Sequence, residues 1–417
     1  MNNSFFIAGS MYLGWILSPE ALVLASNYAG IGGISAILAL LAGLFTLSLW
    51  VILTKCQAKA VTYSPTILFI QTSKDLAATC SLTIFLSTGM LVTAGFTFNE
   101  TFLYWFPNFG FSAILLALIL VIHLIGDKAV KLSQIVFISF SVLSLLTIIV
   151  AGLLSHSELS QNVSQFTDVS ITSTETISII AGALLFYLGL FQPQNRQLNS
   201  RQTVYILAFG ALLLICWQIV ALKHVPQDKL AESTIPYILV SREVLGQTGR
   251  ILIGIAIISG TCAATNYFMS LATKSGSALI MGLSSFSQKG ERVIKRTLSL
   301  LIAAIIGFCM AAGLAGEAHL ELYIYGALLL WLLSNGIQIL IDTFSAERIS
   351  TIKNKFSVAT AALFFIAFIY LIRIHIETAS LVIFITLALG LSSIVTLPIL
   401  FKGKNYKPQP LQQGDVQ

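Results

Sequence analysis

Twelve apolar runs occupy most of this 417-residue chain, at about residues 5–28, 33–54, 76–98, 110–126, 132–154, 177–192, 203–222, 249–271, 297–315, 322–344, 357–374 and 379–401. A helix of about 20 residues crosses the roughly 30 Å hydrocarbon core of a bilayer. Runs of this length with few charges predict an all-α, multi-spanning membrane protein with twelve transmembrane helices. Composition agrees, since 10% of the residues are charged and 56% hydrophobic, whereas a soluble domain carries about 25% charged residues.

The runs group as one transmembrane domain over 1–402, followed by a polar, Pro/Gln-rich tail at 403–417 that is expected to be disordered. The first run lacks a basic leading region and contains Glu20 and two glycines, so it is expected to be a span and not a cleaved signal. Eighteen of the 23 Lys and Arg, including Lys55, Lys74, Lys128, Lys274, Lys295 and Arg348, fall on one side of a twelve-span topology. By the positive-inside rule that side, with both termini, is cytoplasmic, which places the protein in the cytoplasmic membrane. The same basic residues are scattered singly, without interleaved aromatics, and so do not suggest a nucleic-acid partner. Five cysteines with no CxxC spacing suggest neither a disulfide framework nor a metal site.

Irregular backbone at membrane depth is tolerated only where it faces protein or a wet cavity, so interruptions point at sites. The first span reads IAGSMYLGWILSPE, with Gly9, Gly14 and then Pro19, which has no N–H to give to a helix. The sixth, ISIIAGALLFYLGLFQP, is short, carries Gly182 and Gly189, and stops at Pro193. Spans one and six open two consecutive sets of five, and breaks at corresponding positions of two halves point to a binding site between inverted repeats. Glycine also serves close helix packing, and proline often does no more than end a span.

These residues carry a likeness. The chain resembles the amino acid/polyamine/organocation permease superfamily from about residue 8 to residue 345. The stretch YLGWILSP keeps Gly14 and Pro19 at the spacing of that family's first span, and LFYLGLF, Leu185 to Phe191, is similar to its sixth. LIGDKAVKLSQIVFISFSVLSLL looks like its fourth-to-fifth connection, and SGTCAATNYFMSLATK, with Asn266 and Lys274, like its eighth span. Departures from the pattern include Tyr12 for the first Gly of the GxG stretch, Phe191 for the acid of span six, and Ser141 where some proton-coupled relatives carry a lysine. The resemblance implies a LeuT-like core of five-plus-five inverted repeats, about 5–154 and 177–344, with two further helices at 357–401.

It also implies a midplane pocket between the broken parts of spans one and six. The expected lining is Ser10, Met11, Tyr12, Gly14, Trp15, Phe186, Tyr187, Gly189 and Phe191. The substrate carboxylate is expected near Ser10 to Gly14 and its amine near Phe186 to Gly189, on the logic that helix ends present free N–H and C=O groups. Aromatics without an acid favour a neutral, partly apolar side chain, although aromatics at helical spacing also serve ordinary packing. Coupling-ion candidates are Glu20, Ser259, Thr261, Thr265 and Asn266, an acid and a set of oxygen and amide groups suited to H+ or Na+. No other cofactor is expected.

The leading reading is therefore a secondary active transporter of amino acids, with the bilayer and a small molecule as its partners. A transporter of amines or other metabolites, or a non-transporting nutrient receptor on the same fold, is the alternative. No HExxH, GxSxG, P-loop or paired intramembrane aspartates support an enzyme or an ATP-driven pump.

Overall fold

Apolar runs become uninterrupted helices wherever the backbone has its full set of donors, and the first interruption falls where one is missing. The computed structural model describes residues 3–54, 64–155, 181–187, 199–283, 288–313, 318–344, 351–375 and 377–402. Among these residues the chain is helical apart from short turns, with no strand.

The first span is two helices, α1 (Asn3–Ile16) and α2 (Pro19–Gly32), bent by 57° at Leu17 and Ser18. Then follow α3 (Ile34–Thr54), α4 (Pro65–Ser81), a π-helical turn (Leu82–Leu86), α5 (Ser87–Thr101), α6 (Asn108–Ile125) and α7 (Asp127–Leu154). The second half contains α8 (Ser200–His224), the short α9 (Gln227–Glu232), α10 (Pro236–Leu283), α11 (Gln288–Ala311) and α12 (Ala318–Phe344). Last come α13 (Thr351–Ile374), α14 (Thr378–Thr396) and α15 (Pro398–Lys402). Among the described residues ten helices are long and apolar enough to cross a membrane, or eleven with the bent α1–α2 pair taken as one span. Of the sixth expected span, at 177–192, only 181–187 lies within the described residues, helical to 185 and turning at 186 and 187.

Two spans are longer than the hydropathy runs suggest. The third begins at Pro65, not near 76, because Ser64 caps it and Pro65 occupies the first helical position, where a missing N–H costs nothing. Its early residues Lys74 and Asp75 looked like loop residues but neutralise one another inside the helix, with Nζ 2.8 Å from Oδ1. The eighth span belongs to a 48-residue path kinked at Gly246, whose φ of 57° is a conformation open to glycine and costly for other residues. α9 closes over the far end of α2, where a Cβ on Gly30 would come within 2.4 Å of the Ala231 amide nitrogen.

The interior is built from the broken first span, α4–α5, α10 and α12, and α6, α11 and α14 are the most exposed to the apolar surroundings. α10 has its most extensive contact with α7 and also packs on α1, α4 and α5. It passes the break in the first span at Gly260, where a Cβ would stand 2.2 Å from the Leu17 carbonyl oxygen. Backbone atoms cannot yield as a flexible side-chain tip does. Gly260→Ala should therefore destabilise the detergent-solubilised protein by about 1–3 kcal/mol, the usual cost of overpacking. Gly390→Ala, at an exposed helical position with nothing within 4 Å, should leave the thermal midpoint unchanged or slightly raised.

Candidate functional site

Pro19 sets the break. Having no N–H, it cannot donate to Trp15, and the Ser18 amide takes the Trp15 carbonyl instead, at 3.0 Å. Ser18 is extended (φ −67°, ψ 152°) and its Oγ accepts from the Ala21 amide at 3.2 Å, capping α2. The carbonyls of Gly14 and Leu17 thereby lose the donors that a continuous helix would give them. Leu17 turns its oxygen toward Gly260, and the break becomes an acceptor-rich point in the centre of the bundle.

The end of the described part of span six meets this point. The Trp15 indole N–H donates to the Leu185 carbonyl at 3.0 Å, fully buried. Just beyond, Phe186 and Tyr187 hydrogen-bond three residues back, to Ala183 and Leu184, in place of the four of an α-helix. The Trp15 ring also packs edge-on against Phe268 of α10 and Trp331 of α12, with centroids 6.3 and 5.7 Å away, and those two rings are 5.6 Å apart. Three buried aromatics from three spans thus form a floor beside the break.

The sequence-predicted residues divide around this centre. Ser10 to Gly14 are not unwound: they lie inside α1, and the break follows three residues later. Glycine is not its cause. Gly14 is a close-packing residue whose Cβ would lie 2.8 Å from the Gln134 amide nitrogen of α7 and 3.4 Å from the Ala263 carbonyl of α10. The C-terminal end of α1 offers carbonyl oxygens. The N–H groups belong to α2, and those of Glu20 and Ala21 are used, by the Glu20 carboxylate itself and by Ser18.

Ser10 gives its hydroxyl to Ile7 and its carbonyl to Gln134, Met11 is buried, and Tyr12 lies against Gly210 of α8 with its hydroxyl unpartnered. Phe186 packs edge-on against Tyr28, and Tyr187 lies on Gly43 of α3 with its hydroxyl donating to the Leu40 carbonyl. These two aromatics lock span six to neighbouring helices. Gly189 and Phe191 lie outside the described residues.

The coupling candidates do not converge on one point. Thr261 Oγ1 donates to the Met90 carbonyl of α5 at 3.4 Å, and Asn266 donates to the Val130 carbonyl and to Gln134 Oε1 at 3.1 and 2.7 Å. Gln134 links onward to the Ser10 carbonyl at 3.1 Å. Ser259 is half-buried, and Thr265 is fully buried with its hydroxyl unpartnered. Glu20 stands apart, in the first turn of α2. Its Oε2 is enclosed without a hydrogen-bond partner, and its Oε1 faces Gly89 of α5, where a Cβ would be 3.7 Å away. Tyr237, on the short arm of α10, is buried and in electrostatic reach of Glu20.

One group escaped the sequence reading. Lys74, placed among the residues outside the spans, is 4% exposed inside α4. Its ammonium bonds Asp75 at 2.8 Å, Ser334 at 3.3 Å and Gln338 at 3.2 Å, the last two from α12. The available signal was the pairing itself, Lys and Asp adjacent at the edge of an apolar run, opposite a span bearing Ser334, Gln338 and Asp342.

No protein-family model matches the sequence, and no curated protein matches it. Among solved structures, the chain is similar to a Na+-coupled sialic acid symporter in a substrate-bound, outward-open state. The likeness has a TM-score of 0.59, covers 87% of this chain and 88% of that one, and comes with 10% sequence identity. It shows that the chain has the fold of a multi-span membrane transporter.

The Trp15–Leu185 bond is testable in isolation. Trp15→Phe keeps a ring in the floor but leaves the Leu185 carbonyl buried without its donor, and should lower stability by about 1–3 kcal/mol, read as a fall in thermal midpoint.

Proposed function

We propose that this chain is a secondary active transporter that carries a small metabolite bearing an amino group, neutral amino acids first among them, by alternating access. The observation that supports this most directly is the meeting of the broken first span with the turn that closes the described part of span six, where Trp15 donates to Leu185 beside carbonyls released from the helix. Discontinuous helices that meet inside a bundle are the recurring substrate and ion sites of such folds. The fold shared with a Na+-coupled symporter supports the same class. The likeness to amino acid/polyamine/organocation permeases and the positive-inside asymmetry complete the reading: a multi-pass protein of the cytoplasmic membrane with both termini inside and no catalytic role.

Released carbonyls suit an ammonium, whereas the N-terminal donors of α2 are engaged by the chain's own Ser18 and Glu20. That observation favours a second substrate class, amines without a carboxylate. For coupling we propose a proton on Glu20. A carboxylate oxygen sealed from water with no donor is costly as an anion, and protonation removes that cost. The hydroxyl set on α10 supports sodium less well, because Thr261 is turned to α5.

Purified protein in liposomes should accumulate a radiolabelled neutral amino acid when a pH gradient is imposed, and a panel of amino acids and their decarboxylated amines should compete. Competition by amines alone would shift the substrate to the second class, and no counterflow with any of them would overturn the transport reading. Glu20→Gln should remove the response to the pH gradient while counterflow exchange continues. Accumulation driven by a sodium gradient and indifferent to Glu20→Gln would overturn the proton assignment.

A further inference from the structure

A lysine within a transmembrane helix is expensive and is retained for a reason. Lys74 is buried at 4% exposure, and oxygens receive all three of its ammonium donors: Asp75 Oδ1 beside it on α4, and Ser334 Oγ and Gln338 Oε1 across on α12. The surrounding bonds close the set. Ser334 donates to Asp75 at 3.1 Å, Gln71 to the same Gln338 oxygen at 3.1 Å, and the Gln338 amide to Asp342 at 2.8 Å. Asp75 keeps 32% of its side chain exposed, so the network reaches from the interior toward solvent. Charge asymmetry assigns that end of the bundle to the cytoplasm.

The network sits one helical turn along α12 from Trp331. Residues three and four apart share a helix face, so the turn that bonds Lys74 through Ser334 is the turn next to the one that seats Trp331 on Trp15 and Phe268. Spans three and eight are also tied at this level, by Thr83 Oγ1 donating to the Phe268 carbonyl at 2.9 Å. Lys74, with Asp75 and Gln71 beside it on α4, therefore holds the helix that carries one of the three rings of the aromatic floor. The coupling candidates take no part in it.

We propose that Lys74 is a positioning residue for transport: it latches α12 to α4 so that Trp331 closes the cytoplasmic side of the path against Trp15 and Phe268. Opening toward the cytoplasm then requires the two bonds of Lys74 across to α12, and those of Asp75 and Gln71 beside it, to be exchanged for water. This rests on the transporter reading for its kinetic consequence but not for its structural one, and the two are measured separately.

Asn335, 3% exposed and next to Ser334, is replaced by cysteine, and its labelling by a membrane-impermeant maleimide is followed from the cytoplasmic face of inside-out vesicles. With the latch removed in Lys74→Met, labelling should accelerate roughly tenfold or more, as expected for losing hydrogen bonds to a charged group. Lys74→Arg, which keeps the charge and the donors, should restore the slow rate. The Lys74→Gln, Asp75→Asn pair keeps volume and neutralises both charges together, so it covers the case in which Lys74→Met leaves Asp75 unpaired and fails to fold. It too should label fast. In liposomes the same variants should change maximal uptake and leave half-saturation nearly unaltered, because the latch touches no substrate. Slow labelling in the folded charge-neutral pair would overturn the latch whatever the uptake result. Fast labelling with no uptake in the unsubstituted protein would uphold it and overturn the transporter reading.

Discussion

The structure depends on a constraint the bilayer imposes: with no water to serve them, backbone groups must be satisfied by the protein itself. Pro19 violates the regular solution by removing one donor, and its neighbours absorb the consequences. Ser18 caps the resumed helix, the Ser18 amide is redirected to Trp15, and Trp15 reaches across to a carbonyl of span six. The close approach of α10 at Gly260 follows from the same event, because the released Leu17 oxygen must face something. The centre of the bundle is assembled around one missing hydrogen.

Two ionisable groups in the interior illustrate opposite ways of carrying charge in an apolar medium. Lys74 has every donor filled and a carboxylate beside it, so its desolvation is offset locally. Glu20 has an oxygen with no donor to receive. A saturated network holds helices in one arrangement. An unsatisfied carboxylate oxygen is where a proton or an ammonium changes the energy most. The two lie on opposite sides of the break in the first span.

Hydropathy located the spans because burial in lipid is a bulk property spread over about 20 residues, and the break at Pro19 was legible because one residue type lacks one donor. What the sequence does not reveal is which neighbour each side chain meets. Ser10 to Gly14 looked like unwound backbone because glycine is compatible with both a break and a close contact, and only the proximity of Gln134 and Ala263 decides for the contact. Tyr187 looked like a pocket wall, yet its hydroxyl is committed to α3. Lys74 and Asp75 were read as loop residues because hydropathy scores each charge alone, whereas the pair costs far less than two separate ions. Thr261 and Thr265 share a helix face as their spacing requires, but Thr261 is bonded to Met90 and Thr265 to nothing, a difference set by partners distant in sequence.

The π-helical turn at Leu82–Leu86 gives the third span a property that a straight helix of the same sequence would lack. A π turn accommodates about one residue more than an α turn, and each residue rotates an α-helix by about 100°. The segment therefore resets the phase between the half that presents Lys74 to α12 and the half that presents Gly89 to Glu20 and Ile324. Both halves meet α12, at Ser334 and Gln338 on one side of the joint and at Ile324 on the other, and the joint lies where Thr83 holds Phe268. The third span is thereby two helical halves joined through a five-residue π turn.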